Sequence, residues 1–587
     1  MKFLITSSTL VILITTCAFA QTTQTTDPEN TKTGVITGRV VNESGEPLQD
    51  ALVTVRTFAS ITPPQNVFTD RDGRFRATGL SSAVYLASAS LVAYTAAPRD
   101  RDSTQATSYR VGDDINIVLI KGGVISGTVT TPTGSPVVGV MVRVQMIRDG
   151  NGQPSRYGVS TRNRGTDDRG KYRIYGLPTG TYLVFAGGSS NPGDGPYDND
   201  APTYSPSSVR NTASEISVRA GEETGDVDIR YRGESGRVVS GNVIGPVTPE
   251  PYGSTIMMTS TLDGGSQLNE SVYILPGVRG FSISGVADGE YYLTAQSFLP
   301  GGLHISDPKR ITVRGTDVTN LELTTKPLGS ISGRVVLEES KAEGCKGKKK
   351  AVVTETLISA WHNEKESTKD SPQFIWAIGG PVYPTDQGDV TLQNLVAGQY
   401  QIIARQFAKY WYLRSITLPA SPGAATKPNQ SSRTPSAPNA SRDLVLNWTT
   451  VRSGERLTGL VVTVTEGAAS VRGEVTTPEE SSIPERMYVY LLPAERESSQ
   501  DLMRYFASPI ATDKTVAFNN VPPGRYLVVV QPALDNVRPT LTKLRLPDEG
   551  ETRLRLRRDA EGAKFELELK PCQNLVDYQI AFRQAKP

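Results

Sequence analysis

One pattern, written five times, restricts what this chain can fold into more than any other feature. GRFRATGLSSAVYLASA from Gly73, GKYRIYGLPTGTYLVFA from Gly170, GFSISGVADGEYYLTA from Gly280, GDVTLQNLVAGQYQIIA from Gly388 and TVAFNNVPPGRYLVVV from Thr515 share one register. Phe75, Tyr172, Phe281, Val390 and Val516 open the copies, and Leu80, Leu177, Val286, Leu395 and Val521 stand five places on. A tyrosine stands ten places on in every copy: Tyr85, Tyr182, Tyr291, Tyr400 and Tyr526. Period-two alternation on either side marks strands, and the Gly- or Pro-bearing segment between them marks a turn. The spacing predicts a strand–turn–strand hairpin whose constant loop length sets the register.

A second element precedes each copy: ITGRV, ISGTV, VSGNV, ISGRV and VRGEV, centred on Gly38, Gly127, Gly241, Gly333 and Gly473. Glycine weakens a strand unless something needs the space above it. Two readings stay open. In one, the repeat's tyrosine ring lies over this glycine; in the other, the glycine marks a plain bulge. The first two copies share a third element, GEPLQDALVTV and GSPVVGVMVRV, a Gly-x-Pro turn running into an alternating strand. INIVLI, VDIRY, LELTT, LVVTV and FELEL read as the last strands of the five units.

Short alternating strands separated by turn signals, with no helical periodicity, predict an all-β chain of five tandem Ig-like β-sandwich domains in an elongated array. The expected boundaries are 31–121, 122–232, 233–326, 327–466 and 467–587, with almost no linker between units. The low-complexity stretch 421–441 inside the fourth unit is expected to be unfolded. No capped amphipathic helix of useful length is expected.

Residues 1–20 read as a secretory signal, with Lys2, an apolar run and Ala18-Phe19-Ala20 as the cleavage site, and 21–30 as a polar leader. No later stretch suggests an integral membrane span in the mature chain. The expected location is periplasmic, or extracellular at the cell surface. With 62 basic and 60 acidic residues the net charge is +2, which gives no reason to expect a nucleic-acid partner. Export makes a disulfide between Cys345 and Cys572 permissible, but sequence alone leaves their pairing open.

The motifs G-x-[ST]-G-x-V, G-x-P, T-D-x-x-G-x-[FY] and L-P-x-G-x-Y resemble the carboxypeptidase regulatory-like family, small transthyretin-like (prealbumin-like) sandwiches also similar to collagen-adhesin B-type repeats. The second unit carries all of them, through Gly123–Val129, Gly134–Val142, Thr166–Tyr172 and Leu177–Tyr182. The first unit is close, but Ala83 replaces the glycine before its tyrosine, and units three to five blur the middle. The resemblance implies a fold and not a chemistry. It implies modules that accompany metallocarboxypeptidases or receptor barrels, or stand in tandem in exported bacterial proteins. The mature chain has no H-x-x-E zinc pair. Adhesin-type repeats often carry a Lys–Asn isopeptide bond, but the first strands here offer Arg39, Thr128, Asn242, Arg334 and Glu474, so none is expected.

Nothing else points to catalysis. His304 and His362 fall in different units. Asp70-x-Asp72-Gly73 and Asp167-Asp168-x-Gly170 lack the further oxygen ligands of a calcium loop and read as Asx turns. Lys346 to Lys350 form a basic loop that reads as solvated. Trp376 and Trp411 are the candidate aromatics for facing a ligand, with Tyr410 and Tyr412 in the same unit and Tyr197 and Tyr204 in the long loop of the second. The expectation is a non-enzymatic binding or structural protein without cofactor or metal. It would act as an interaction rod or spacer at the cell envelope, with an envelope or extracellular protein or polysaccharide as partner. The alternative is a carbohydrate-binding protein that assists secreted polysaccharide-degrading enzymes.

Overall fold

The computed structural model describes residues 34–57, 63–81, 83–97, 108–152, 162–188, 196–263, 268–363, 381–419, 441–476, 487–495, 501–511, 513–534 and 543–582. The expected signal and leader at 1–30, Trp376, and the 421–441 insert up to its last residue lie outside them.

The glycine-bearing first strands are Gly34–Val41, Gly123–Thr130, Arg237–Ile244, Gly329–Glu338 and Ala469–Thr476. Each pairs antiparallel with the strand that opens the repeat: Arg74–Leu80, Lys171–Leu177, Gly280–Val286, Asp389–Leu395 or Thr515–Val521. The tyrosine strands are Val84–Ser90, Gly180–Ala186, Gly289–Leu299, Gly398–Gln406 and Gly524–Pro532, and they pair with different partners across the sandwich. The predicted hairpin is therefore corrected. In no copy do its two strands bond to each other; the chain crosses between sheets instead. In the third copy the two layers are continuous through Gly302–Ser306, which pairs with both Gly289–Leu299 and Val318–Pro327.

The cause of the crossing lies one residue before the Leu or Val of the motif. Gly79, Gly176, Gly285, Asn394 and Asn520 all take left-handed φ, between 58° and 75°. The pairing to the first strand skips one residue at this place in each copy. A left-handed residue in one strand is a bulge that bends it out of the ladder. The next residue, Leu80, Leu177, Val286, Leu395 or Val521, is then buried, and the chain turns into the other layer.

The last strands run parallel to the first strands and lie directly beside them. They are Asp114–Lys121, the pair Glu223–Thr224 and Ile229–Arg230, Val318–Pro327, Arg456–Glu466 and Asn574–Ala581. In the fifth copy this corrects the reading of FELEL. Glu566–Leu569 pairs with the tyrosine strand, and NLVDYQIA supplies the last strand. Between the two sheets of each copy lies an apolar core that includes the corner tyrosine.

One helix was not expected. Gly550–Ala563 buries Arg553, Leu556, Arg557 and Ala560, which share one helical face. Half of that stripe is arginine, so no apolar periodicity announces it. The guanidiniums are accommodated because they donate to backbone carbonyls: Arg553 to those of Leu544 and Leu546, Arg557 to those of Pro493 and Ala494.

Candidate functional site

The repeated tyrosine has the same role in all five copies. Its hydroxyl donates to the carbonyl four residues upstream: Tyr85 to Ser81 at 3.0 Å, Tyr182 to Pro178 at 2.8 Å, Tyr291 to Ala287 at 2.9 Å, Tyr400 to Val396 at 2.8 Å and Tyr526 to Pro522 at 2.7 Å. This is the tyrosine corner of immunoglobulin-type sandwiches. The ring fills the core while the hydroxyl satisfies the carbonyl exposed where the chain changes sheet. Burial pushes the phenol of Tyr400 up, and that of Tyr526 up to about 12, so both remain hydrogen-bond donors through the neutral range.

The tyrosine-over-glycine reading is corrected. A Cβ on Gly38, Gly127, Gly241, Gly333 or Gly473 would come closer than 3.0 Å to a backbone carbonyl of the last strand, at Ile115, Val227, Leu321, Leu460 and Tyr578 respectively. The nearest rings, at Gly38 and Gly127, are those of Phe75 and Tyr172, not the corner tyrosines. In copies three to five the parallel ladder shifts register as it reaches the glycine. In copy two the last strand breaks there into two short pieces. The glycine is thus where a side chain on the first strand would collide with the backbone running beside it.

The Thr-Asp turns hold this frame together. Asp70 Oδ1 accepts from the amides of Asp72 and Arg74, and Asp167 Oδ1 from those of Arg169 and Lys171. The two amides hold the Asp167 carboxyl below the usual carboxylate range. Buried Thr69 and Thr166 each donate to one carbonyl and accept one amide across the Gly-x-Pro segment. Among the described residues, no group of three or more His, Cys, Asp or Glu side chains is placed to hold a metal. An open groove of about 570 Å³ on the first copy is lined by Thr37, Phe68, Asp70, Arg74, Arg76 and Asp114, among others.

The aromatic candidates among the described residues have different surroundings. Trp411 is buried at 1% exposure, so the reading of it as ligand-facing is corrected. It stands on Trp411–Pro419 opposite Glu466, in the core shared by copies four and five. Tyr204 is buried against Phe185, and Tyr197 meets Tyr231 edge-on. The basic loop is engaged with its own unit. Lys346 pairs with Glu343, Lys348 lies over the Tyr410 ring, and Lys350 reaches both Glu339 and the buried Glu466.

The two cysteines meet. Cys345 and Cys572 form a disulfide with their Cα atoms 5.2 Å apart. It joins the short turn Glu343–Cys345, after the fourth copy's first strand, to the turn just before the fifth copy's last strand. Around it, Cys572 N donates to Gly467 O, Asn520 Nδ2 to the carbonyls of Gln406 and Ala408, and Gln401 Nε2 to Arg545 O. One continuous apolar cluster runs from Ile331, Tyr400 and Trp411 to Tyr490, Tyr505, Leu544 and Leu556. The other junctions carry lighter contacts, such as Gly122 N to Ala93 O, Gly236 N to Asn199 O and Leu328 N to Leu303 O. One contact joins copies that are not neighbours in sequence: Arg110 of the first donates to Glu355 of the fourth.

No curated protein matches the chain. Solved structures similar to it include the minor pilin of Streptococcus agalactiae, at 14% identity over 34% of this chain and 95% of that one, with a TM-score of 0.19. A streptococcal ancillary pilin is similar at 13% identity over 50% and 99%, with a TM-score of 0.16. The Bacillus anthracis TIE protein is similar at 11% identity over 92% and 76%, with a TM-score of 0.14. The glycine at 38, the Thr69-Asp70 turn and the Tyr85 corner all fall within residues 35–114, and that segment matches the model of the carboxypeptidase regulatory-like domain.

Proposed function

We propose that the chain is an exported, non-catalytic spacer at the cell envelope that carries tension along five sandwich modules, 31–121, 122–232, 233–326, 327–466 and 467–587. The observation that carries this reading is the parallel pairing of first and last strand in every copy. With parallel strands side by side, the chain enters a module at one end of the pair and leaves at the other. A pull on the two ends then loads the hydrogen bonds between the strands together, in shear. An antiparallel pair, with both ends on the same side, would peel open one bond at a time. Resistance to pulling is a question of unfolding rate, and a barrier that requires many bonds to fail at once lowers that rate. Loops and open strand edges are the surfaces offered to protein partners.

The polysaccharide-binding alternative is weaker because Trp411, one of its two chosen aromatics, is buried. A single-molecule pulling experiment on the intact chain, held at its two ends, tests the tension reading. Each free module of about 90 residues should open in one step that lengthens the chain by about 30 nm. Smooth extension without steps would sink the proposal.

A further inference from the structure

We infer that the Cys345–Cys572 disulfide is a tension bypass that withholds most of the C-terminal two modules from extension. This rests on the tension-carrying reading above. The fourth copy's first strand is Gly329–Glu338, and Cys345 follows seven residues after its end. Cys572 stands two residues before the fifth copy's last strand, Asn574–Ala581. The shortest covalent route from the third copy to the C-terminal end therefore runs through 329–345, across the sulfurs, and out through 572–582. Residues 346–571 hang off that route as a closed loop. No covalent tension passes through them once the two terminal strands have been pulled free, and whatever unfolds within them adds no length.

The two strands that remain on the route are both terminal strands of parallel pairs. Gly329–Glu338 is paired at nine positions with Arg456–Glu466, and Asn574–Ala581 at six with Ala469–Thr476. The partner strands, Arg456–Glu466 and Ala469–Thr476, follow one another with only Gly467 and Ala468 between them. Force entering the fourth copy and force leaving the fifth thus pull in opposite directions on one continuous stretch of backbone inside the loop. The shared apolar cluster and the bonds from Asn520 and Gln401 hold the two modules together around it. The fourth and fifth copies would act as one short, stiff block at the end of three extensible modules.

The withheld length is set by the separation of the cysteines, 227 positions. At about 3.4 Å per residue that is about 77 nm. The test stretches the full chain between its ends in an optical trap, comparing the oxidised protein with Cys345→Ser, Cys572→Ser and the oxidised protein treated with dithiothreitol. The two variants and the reduced protein should reach a final length about 77 nm greater than the oxidised protein and show added opening steps. Final length does not depend on whether a variant folds, so a destabilised variant still reports. Equal lengths in all four samples would overturn the bypass. If the difference in length appears but the first three copies extend without steps, the bypass stands and the tension-carrying reading fails.

Discussion

The glycine of the first strand offers the sharpest test of how each copy is built. Consider Gly127→Ala. The new methyl would lie closer than 3.0 Å to the carbonyl oxygen of Val227, in the stretch that joins the two pieces of the last strand. That carbonyl cannot retreat freely. It accepts the Tyr172 hydroxyl, and the amide of the same residue donates to Ser126 O at 3.1 Å. Restoring ordinary contact requires a backbone shift of about 1 Å. Overpacking of this kind costs about 1–3 kcal/mol, and weakening one of the two bonds adds about 1 kcal/mol, so the expected loss is about 2–4 kcal/mol. Hydrogen exchange in peptides from Gly123–Thr130 and 223–231 reads that loss locally. At about 1.4 kcal/mol per tenfold, exchange should speed up by about 30- to 700-fold. The design also separates the two readings of the glycine. If the corner ring covered it, removing that ring with Tyr182→Leu would relieve the strain, and the double variant would be less destabilised than the sum of its parts. With a backbone carbonyl as the obstacle, the two losses should add. Exchange within twofold of the parent in Gly127→Ala would refute the carbonyl account.

Further outcomes follow from the corner, the long-range ion pair and the half-buried histidine. Tyr400→Phe keeps the ring but leaves the Val396 carbonyl without its 2.8 Å bond, and should cost about 1–2 kcal/mol in local exchange protection, whereas an unchanged protection factor would deny the hydroxyl any role. Arg110→Glu places a carboxylate against the buried Glu355 and should separate the first and fourth copies, seen as a larger radius of gyration in small-angle scattering. The exchange Arg110→Glu with Glu355→Arg should restore the parent value, and failure of both changes would mean the pair holds nothing. Burial holds the His304 imidazole below its ordinary value, so the unfolded chain takes up a proton there before the folded chain does. The stability of the third copy is then complete above about pH 6.5 and declines as the pH falls through that value. A His304→Phe variant should lose that decline, and an identical pH profile would exclude the histidine as its source.

The strands, their order and the constancy of the tyrosine were open to reading because each copy repeats the same period-two alternation and loop length. What escaped was the consequence of one left-handed residue. Gly79, Gly176, Gly285, Asn394 and Asn520 stand at one position of the repeat, and glycine and asparagine are the residues that tolerate positive φ. That shared choice was a legible sign of a bulge. Without it, two strands joined by a short turn read as a hairpin, and with it they become a crossing between sheets. The helix Gly550–Ala563 escaped for another reason. Hydropathy counts Arg553 and Arg557 as surface residues, yet their guanidiniums lie inside, donating to the carbonyl of Leu544 and, 64 positions away, to that of Pro493. No local pattern encodes which carbonyls will accept them. Trp411 was misplaced on similar grounds, since a tryptophan followed by tyrosine in a strand looks the same whether its outer face meets water or the next module.

The left-handed position also shows how a repeated corner adapts to its neighbours. In the third copy Gly285 lies against the second copy's loop, and a Cβ there would come closer than 3.0 Å to the Asp198 carbonyl. In the fifth copy the same position is Asn520, and its amide bridges the Gln406 and Ala408 carbonyls of the fourth copy. One backbone requirement, positive φ, admits both residues; the choice between them follows the adjoining module. Glycine leaves room for a close backbone approach, and asparagine supplies two donors across a gap. The asparagine stands at the junction that also has the disulfide and a shared core. The corner that shapes each copy therefore also helps to set how firmly that copy is joined to the one before it. At the junction of the fourth and fifth copies the residue at that position donates across the gap, and at the junction of the second and third it yields space.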